Sequence, residues 1–423
     1  MKEEGRVVLG AGIAGLGAFY GDNEVDIYEA SGKPGGLCSS FQIGDFCFDQ
    51  AVHLSFSKNP TVRELFDRTS QYVHVSSPYS WFCGKWFRHP AQNNLFPLLP
   101  EEKTEAIKGF IQKKGCEKSE NFAQWLSDGY GEFLYKKLFQ PYNQKYWCTD
   151  LEKIGVEWIS NRIYQPTLDE VLMGTYTDKI PNTYYATKMY YPIGGGGYYK
   201  YLKKLSEEAI FKGKLHLHKE AVKIDIAAKT VCFSDGSEVV YDKLYSSIPL
   251  PEMLQIIEET PQKVREKAEL LEFTGVALVS MGLGACKTEK LWFYVYDADI
   301  MAARAYMPSV KSCGNVPEGH YSIQFEIYFN GKHSHAPEEH VAVQNCIYAL
   351  EKMGIACADD ILFTDYRVIP YGNVICLKQT EKDLPEIADW LKSIGITPIG
   401  RFGRWEYLWS DQAFLSGYEA VSK

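Results

Sequence analysis

The sequence predicts an α/β protein in which a Rossmann-like nucleotide-binding sheet carries an inserted helical domain and a second, antiparallel sheet. Three observations predict it. A strand–glycine turn–helix–strand unit occupies residues 6–29, residues 100–165 carry helix start and stop signals, and residues 270–375 alternate apolar and polar in several strands.

The opening unit is the most specific element. Val7, Val8 and Leu9 make a short buried strand running into Gly10-Ala11-Gly12-Ile13-Ala14-Gly15. A short helix, a turn at Gly21-Asp22-Asn23 and a second strand from Val25 to Tyr28 follow, ending on Glu29. Gly10 permits the tight turn, Gly12 lets backbone approach a pyrophosphate, and Gly15 lets helix pack on strand. The helix N-terminus supplies free N–H groups and a positive dipole end to phosphates. Glu29 falls 19 residues after Gly10, where a carboxylate takes ribose hydroxyls. Glycines in an ordinary β-turn are the bland alternative, and the flanking strand, helix and acid argue against it. A second pair, Gly35-Gly36, lies just past the acid. This resembles the glutathione-reductase-type flavoproteins, where such a pair brings backbone against the flavin nucleotide, so FAD is favoured over NAD. The interval from Gly15 to Glu29 is about a helical turn shorter than in that pattern, which implies a shortened helix with binding retained.

Further along, residues 41–49 read as a hairpin turning at Gly44-Asp45, residues 60–69 have helical spacing, and Trp81 to Trp86 reads as another hairpin before the polar loop Pro90-Ala91-Gln92-Asn93-Asn94. Pro100 opens one helix at its first position and Asn121 starts another. Pro141 should break or kink the helix that reaches it, and a short helix is expected over 152–162. Glycines at 194–197 precede a helix over 198–209. A strand over 221–225 and a hairpin through Ser234-Asp235-Gly236 lead to residues 243–248, read as the last strand of the nucleotide-binding sheet. Ser410-Asp411-Gln412 can cap a helix running to Val421. The expected division is a discontinuous nucleotide-binding domain (1–60, 190–250, 400–423), a helical lid (100–165) and an antiparallel-sheet domain (61–99, 166–189, 251–399).

At 423 residues and 45% hydrophobic, the chain can bury a large core in two or three domains. Its net charge of −9 argues against nucleic acid or an anionic membrane surface as the main partner, so an anionic ligand must meet local cations. The eleven cysteines are scattered with no CxxC pair, which points to reduced thiols in a cytoplasmic protein, neither a disulfide scaffold nor a zinc site; no metal cluster is visible. Lys2-Glu3-Glu4 leads directly to the first strand, leaving no room for a signal peptide. The most apolar run, residues 273–286, is too short and glycine-rich to span a bilayer. The 29 tyrosines suit pockets lined by rings that carry hydroxyls.

Several stretches together resemble the flavin-dependent UDP-galactopyranose mutases, closest to the eukaryotic branch, in order along almost the whole chain. Phe48-Asp49-Gln50-Ala51-Val52-His53-Leu54-Ser55-Phe56-Ser57 is similar to that family's Asp-x-Gly-Gly-His-x-x-Phe-Ser segment. Residues 84–94 resemble a loop of the form Tyr-Pro-Phe-Gln-Asn-Asn. Pro141-Tyr142-Asn143-x-Lys145-x-Trp147, followed by Trp158 and Arg162, is the most specific match, and Arg401-Phe402-Gly403-x-Trp405-x-Tyr407 with Gln412 and residues 417–420 closes it.

The resemblance implies that reduced FAD (FADH⁻) attacks the anomeric carbon of a nucleotide-diphosphate sugar through N5. The diphosphate leaves and the ring opens. It then recloses through another hydroxyl, and the diphosphate returns. Such chemistry needs cations for the pyrophosphate, a closed pocket and a source of electrons, NAD(P)H or another reductant. Arg162 and Arg304 are the implied cations, since guanidinium forks bridge oxygens bidentately. Tyr371 and Tyr407 match diphosphate-contacting tyrosines. His53 matches a histidine beside flavin N5 on a loop that responds to reduction. Gln92, Asn143, Trp147, Trp292 and Tyr294 match the nucleotide and sugar pocket, and Arg401 and Gln412 fall in the flavin-contacting C-terminal segment. Departures cluster in the pocket. Gln50, Ala51 and Val52 replace the glycines that make the histidine loop mobile, Ala91 replaces an aromatic, and Ala186 aligns near an asparagine. Losing an aromatic weakens base stacking, worth about 1–3 kcal/mol where it occurs, so the base or sugar can differ from uridine and galactose.

Two other readings stay open: an amine oxidase or protoporphyrinogen oxidase-like oxidoreductase, and a flavoprotein without catalysis. The paired arginines discriminate against the first, and only the substitutions beside His53 support the second.

Overall fold

The computed structural model describes residues 5–160, 162–179 and 188–422. Its nucleotide-binding half is a five-stranded parallel sheet in the order Ile396–Pro398, Lys243–Ser246, Arg6–Leu9, Asp26–Tyr28, Leu215–His216. The strand Lys243–Ser246 joins the sheet as expected, beside the first strand, but it is not the last in it: Ile396–Pro398 adds outside it. Three residues ending in proline carry too little alternation to be read as a strand, and proline is tolerated there because the position is an edge.

The helix after the glycine turn spans only Ile13–Gly21, the shortening expected, and it lies against the C-terminal helix Ser410–Val421. This crossing is made by glycines. A Cβ on Gly17 would come within 2.2 Å of the Phe414 carbonyl oxygen, and one on Gly417 within 1.9 Å of that of Ala14. The cap of the C-terminal helix is a reach-back from Gln412, whose side-chain oxygen accepts the Trp409 N–H at 2.9 Å.

The second half is a seven-stranded sheet in the order Ile361–Ile375, Glu272–Leu283, Tyr321–Asn330, Arg304–Tyr306, Trp292–Val295, Tyr79–Phe82, Lys85–Arg88. It is antiparallel except where Phe293 pairs in parallel with Tyr79. That one join attaches the hairpin expected over Trp81 to Trp86, whose strands span Tyr79–Phe82 and Lys85–Arg88, to the sheet and delivers the following loop, His89 to Asn94, to the face carrying Tyr294. Helix Glu339–Lys352 covers the other face with Ala342, Cys346, Ala349 and Leu350.

Between the halves stands the helical part: Pro100–Ile111, Phe122–Tyr130 and a continuous run from Glu132 to Trp147. Pro100 opens the first as expected, and Asn121 caps the second by accepting the Gln124 N–H at 2.9 Å. Pro141 does not break the third. The turn before it, Tyr135–Phe139, is π-helical, and this widened turn takes up the missing N–H and the ring clash of a proline.

The short helix expected over 152–162 is absent among the described residues there, which form turns. Their backbone bonds go elsewhere: Phe122 N–H to the Ile154 carbonyl, and Gly155 N–H to that of Cys376. The helix expected over 198–209 spans Lys200–Phe211. No helix among the described residues is long and apolar enough to cross a membrane.

Candidate active site

The ends of four parallel strands open onto a cavity of about 1150 Å³, closed on its far side by the seven-stranded sheet and helix Gln140–Trp147. Leu9–Gly10, Tyr28–Glu29, Ser247 and Gly400 line it, each at a strand's carboxyl end, which is where doubly wound sheets bind nucleotides.

At this end the glycines divide by role. Gly10 has φ +96°, and a Cβ there would meet Ser247 Oγ at 2.2 Å; a Cβ on Gly15 would meet the Gly10 carbonyl oxygen at 1.9 Å. Both build the turn, and Gly15 does not line the cavity. Gly12 does, and a Cβ on it meets nothing within 4 Å, so its open face is cavity at the helix N-terminus. Gly35 (φ +111°) donates its N–H to the Ala11 carbonyl at 2.8 Å, binding the second glycine pair to the first turn and leaving Gly36 on the wall. Glu29 also has a structural task. One oxygen accepts the Ala11 N–H at 2.7 Å, and the other accepts Ser31 N–H and Oγ at 2.9 and 2.8 Å. An exposed glycine face, free helix N–H groups and a carboxylate at the next strand end fit a dinucleotide.

Across the cavity stand the two arginines. Arg304 is anchored by Glu326, which is wholly buried: Nε donates to Oε2 at 2.6 Å and a terminal nitrogen donates to the Tyr328 hydroxyl at 2.9 Å. Burial opposes the arginine's charge, but the Glu326 carboxylate holds it protonated. Arg162 donates to the carbonyls of Trp158 (2.8 Å) and Tyr407 (2.7 Å), and its guanidinium lies 4.8 Å from the Trp409 ring centre. A row of hydroxylated rings joins them: Tyr407 Oη meets Tyr146 Oη at 2.9 Å, and Tyr146 packs on Tyr328 with centroids 4.6 Å apart. Arg401 orders the neighbouring backbone, donating to the carbonyls of Leu408 (2.8 Å) and Gly372 (3.2 Å).

The other pocket residues take fixed poses. The side-chain amide of Asn143 donates to the Phe139 carbonyl and that of Gln92 to the Tyr164 carbonyl, both at 2.9 Å. Trp147 packs between Tyr146, Trp158 and Tyr407. His89 lies over Tyr294, ring centroids 4.4 Å apart, and burial pulls its pKa down to about 3. Tyr371 stacks on Phe273 at 4.2 Å, with Glu252 beside its hydroxyl; its described contacts do not include either arginine.

His53 enters the cavity from the loop after strand Phe46–Asp49, its Nδ1 3.2 Å from the Ala51 carbonyl oxygen. Burial lowers its pKa to about 4, so the ring is neutral near pH 7. Ala51, standing where a glycine was expected, has φ +70°. The Val52 N–H donates to Glu326 at 2.7 Å. Asp49, wholly buried, is ion-paired with Lys311 and accepts from Ser40, Tyr191 and the Tyr198 N–H. Burial opposes its charge, yet Lys311 and the Tyr198 N–H hold its carboxyl below the ordinary range.

One cavity thus gathers Gly10, Gly12, Glu29, Gly36, His53, Gln92, Asn143, Trp147, Arg162, Trp292, Tyr294, Arg304, Tyr371, Arg401 and Tyr407. Gly15, Gly35 and Gln412 serve the turn and the helix cap instead of lining it. Ala186 lies outside the described residues. Sequence reasoning did not single out Tyr146, Tyr328, Glu326 or His89. For His89 and Tyr146 a signal was available, since both lie inside the family-like motifs; for Glu326 and Tyr328, in a strand buried on both faces over residues 322–328, there was none.

Residues 8–69 match the NAD(P)-binding Rossmann-like domain family. None of the curated proteins matches the chain's sequence. Among solved structures, the chain is similar to a reduced UDP-galactopyranose mutase, with TM-score 0.92 and 24% identity over 99% of this chain and 95% of that one. It is also similar to a provisionally assigned protoporphyrinogen oxidase from Exiguobacterium sp. 255-15 (TM-score 0.75, 15% identity, 100% and 98%) and to a putrescine oxidase double mutant (0.67, 13%, 99% and 98%). The resemblance read from the sequence is borne out at the level of the fold: a Rossmann-like domain with an antiparallel-sheet domain, arranged as in UDP-galactopyranose mutase.

Proposed function

We propose that this chain is a FAD-dependent nucleotide-sugar mutase of the UDP-galactopyranose mutase kind, an isomerase that interconverts the pyranose and furanose forms of a nucleotide-diphosphate sugar. The observation that carries the reading is the pair Arg162 and Arg304, facing one cavity whose opposite end is the glycine turn. Bound FAD, held reduced by NAD(P)H or another reductant, would supply the nucleophile that displaces the diphosphate from the anomeric carbon. The glycine turn, Gly36 and Glu29 would hold the dinucleotide, and Arg401 shapes the backbone of the C-terminal segment along the wall.

The two guanidinium groups capture and retain the departing diphosphate, a gain that grows as negative charge develops on it. Tyr407 and Tyr146 present hydroxyls between them. Gln92, Asn143, Trp147, Trp292 and Tyr294 wall the nucleotide and sugar and exclude water. His53 is neutral, and with its Nδ1–H donated to the Ala51 carbonyl its Nε2 is left as a hydrogen-bond acceptor. The scattered thiols, all free, suit a cytoplasmic setting.

An oxidase is the second reading. The stacked wall of Tyr142 and Tyr296, centroids 4.6 Å apart, beside Tyr294 and His89 favours it, because such a wall suits an amine or a flat apolar substrate. It leaves the two arginines without a task. The test is Arg304→Ala and Arg162→Ala in the flavin-loaded protein. On the mutase reading both keep FAD and lose isomerisation of a nucleotide-sugar; full activity in either variant removes that residue's role.

A further inference from the structure

The loop that carries His53 is held from two sides by buried charge. Its Val52 N–H donates to Glu326 Oε1 at 2.7 Å, and its His53 carbonyl accepts from Lys311 Nζ at 3.5 Å. Lys311 belongs to the wholly buried pair with Asp49. Glu326 is wholly buried too, and its other oxygen, Oε2, accepts Arg304 Nε at 2.6 Å and the Tyr328 hydroxyl at 2.7 Å. One carboxylate therefore grips the loop backbone with one oxygen and the cavity-facing guanidinium with the other. Ala51 makes the grip consequential. Its φ of +70° is a strained conformation for an L-residue, so the loop needs external bonds to hold this shape.

We propose that Glu326 is a positioning residue that couples anion capture at Arg304 to the backbone of the His53 loop. The inference rests on reading Arg304 as a diphosphate ligand. An anion entering the cavity competes with Glu326 for the same guanidinium. A buried carboxylate whose cation is drawn away concentrates its charge on its remaining donors, here the Val52 N–H and the Tyr328 hydroxyl. Occupancy of the anion site thus changes how tightly the loop is held. The coupling works through a fixed lever, so it needs none of the glycines this loop lacks.

The alternative is that Glu326 only neutralises a buried arginine, and the two differ measurably. Binding of inorganic pyrophosphate to the flavin-loaded protein is measured by calorimetry, and hydrogen exchange of the peptide containing Val52 is followed with and without saturating pyrophosphate. In the wild type the anion should change the exchange rate of that peptide by roughly fivefold or more. Glu326→Gln keeps the shape and removes the charge, and should bring the ratio of the two rates close to one. An unchanged ratio in Glu326→Gln, or equal rates in the wild type, overturns the coupling. Failure of the wild type to bind pyrophosphate overturns the underlying reading of Arg304. If Glu326→Gln does not fold, hydrogen exchange of the wild-type peptide containing Val52 decides: pyrophosphate must change its protection, and no change overturns the proposal.

Discussion

Gly12 and Gly15 sit three residues apart in one motif, yet they should fail differently when substituted. A side chain at Gly12 points into open cavity, so Gly12→Val should fold with a near-native melting temperature and purify without flavin. At Gly15 a Cβ would lie 1.9 Å from the Gly10 carbonyl oxygen, so Gly15→Val should lose the turn and with it much of the soluble yield. Absorbance at flavin wavelengths and a thermal melt on both variants check this; a yellow, fully loaded Gly12→Val would refute the pyrophosphate reading. For the arginines, loss of either from the proposed diphosphate grip should lower kcat/KM by about 10²-fold or more while FAD stays bound. His53 and His89 set an acid limit. Their pKa values, about 4 and about 3, lie below the unfolded value of about 6.5, so the unfolded chain takes up these protons first. Stability from this source is complete above about pH 6.5 and is lost as pH falls towards 4 and 3. Urea midpoints of the flavin-free protein should drop over that interval, and the double variant His53→Gln, His89→Gln should drop less; equal slopes would contradict the assignment.

Elements succeed here where their signals are local. The glycine turn, the hairpins and the caps at Pro100 and Asn121 were legible because each is decided by a few consecutive residues. The turns at 152–160 were not, since Ile154 and Gly155 spend their backbone bonds on Phe122 and Cys376, partners that proximity in sequence does not reveal. What Pro141 does to its helix is likewise decided outside the residue itself: a π-turn just before it absorbs the defect and the helix runs on. The crossing of helices Ile13–Gly21 and Ser410–Val421 depends on backbone-to-backbone approach at Gly17 and Gly417. Gly417→Val should therefore destabilise the protein by about 1–3 kcal/mol or more, read as a lower denaturant midpoint. An unchanged midpoint would mean that the helices separate without cost.

At the scale of the molecule, two sheets of different kind share one cavity, and the same architecture recurs in a UDP-galactopyranose mutase and in a putrescine oxidase. Fold alone therefore does not select the chemistry. On the mutase reading the selection lies in the far wall, where helix Gln140–Trp147, strands Arg304–Tyr306 and Tyr321–Asn330 and the turn carrying Arg162 bring cations and hydroxyls together. About half of that wall was readable from motifs. Glu326 and Tyr328 were not, because their meaning comes from strand pairing, Arg304 lying opposite Glu326.

The most direct test reduces the flavin-loaded protein with dithionite under anaerobic conditions and supplies UDP-galactose and other nucleotide-sugars in turn, with chromatography of the products. The furanose isomer should form from at least one of them, and only with reduced flavin. No isomer from a broad panel, together with flavin reduction by amines or other small substrates and rapid reoxidation in air, would contradict the mutase and favour the oxidase.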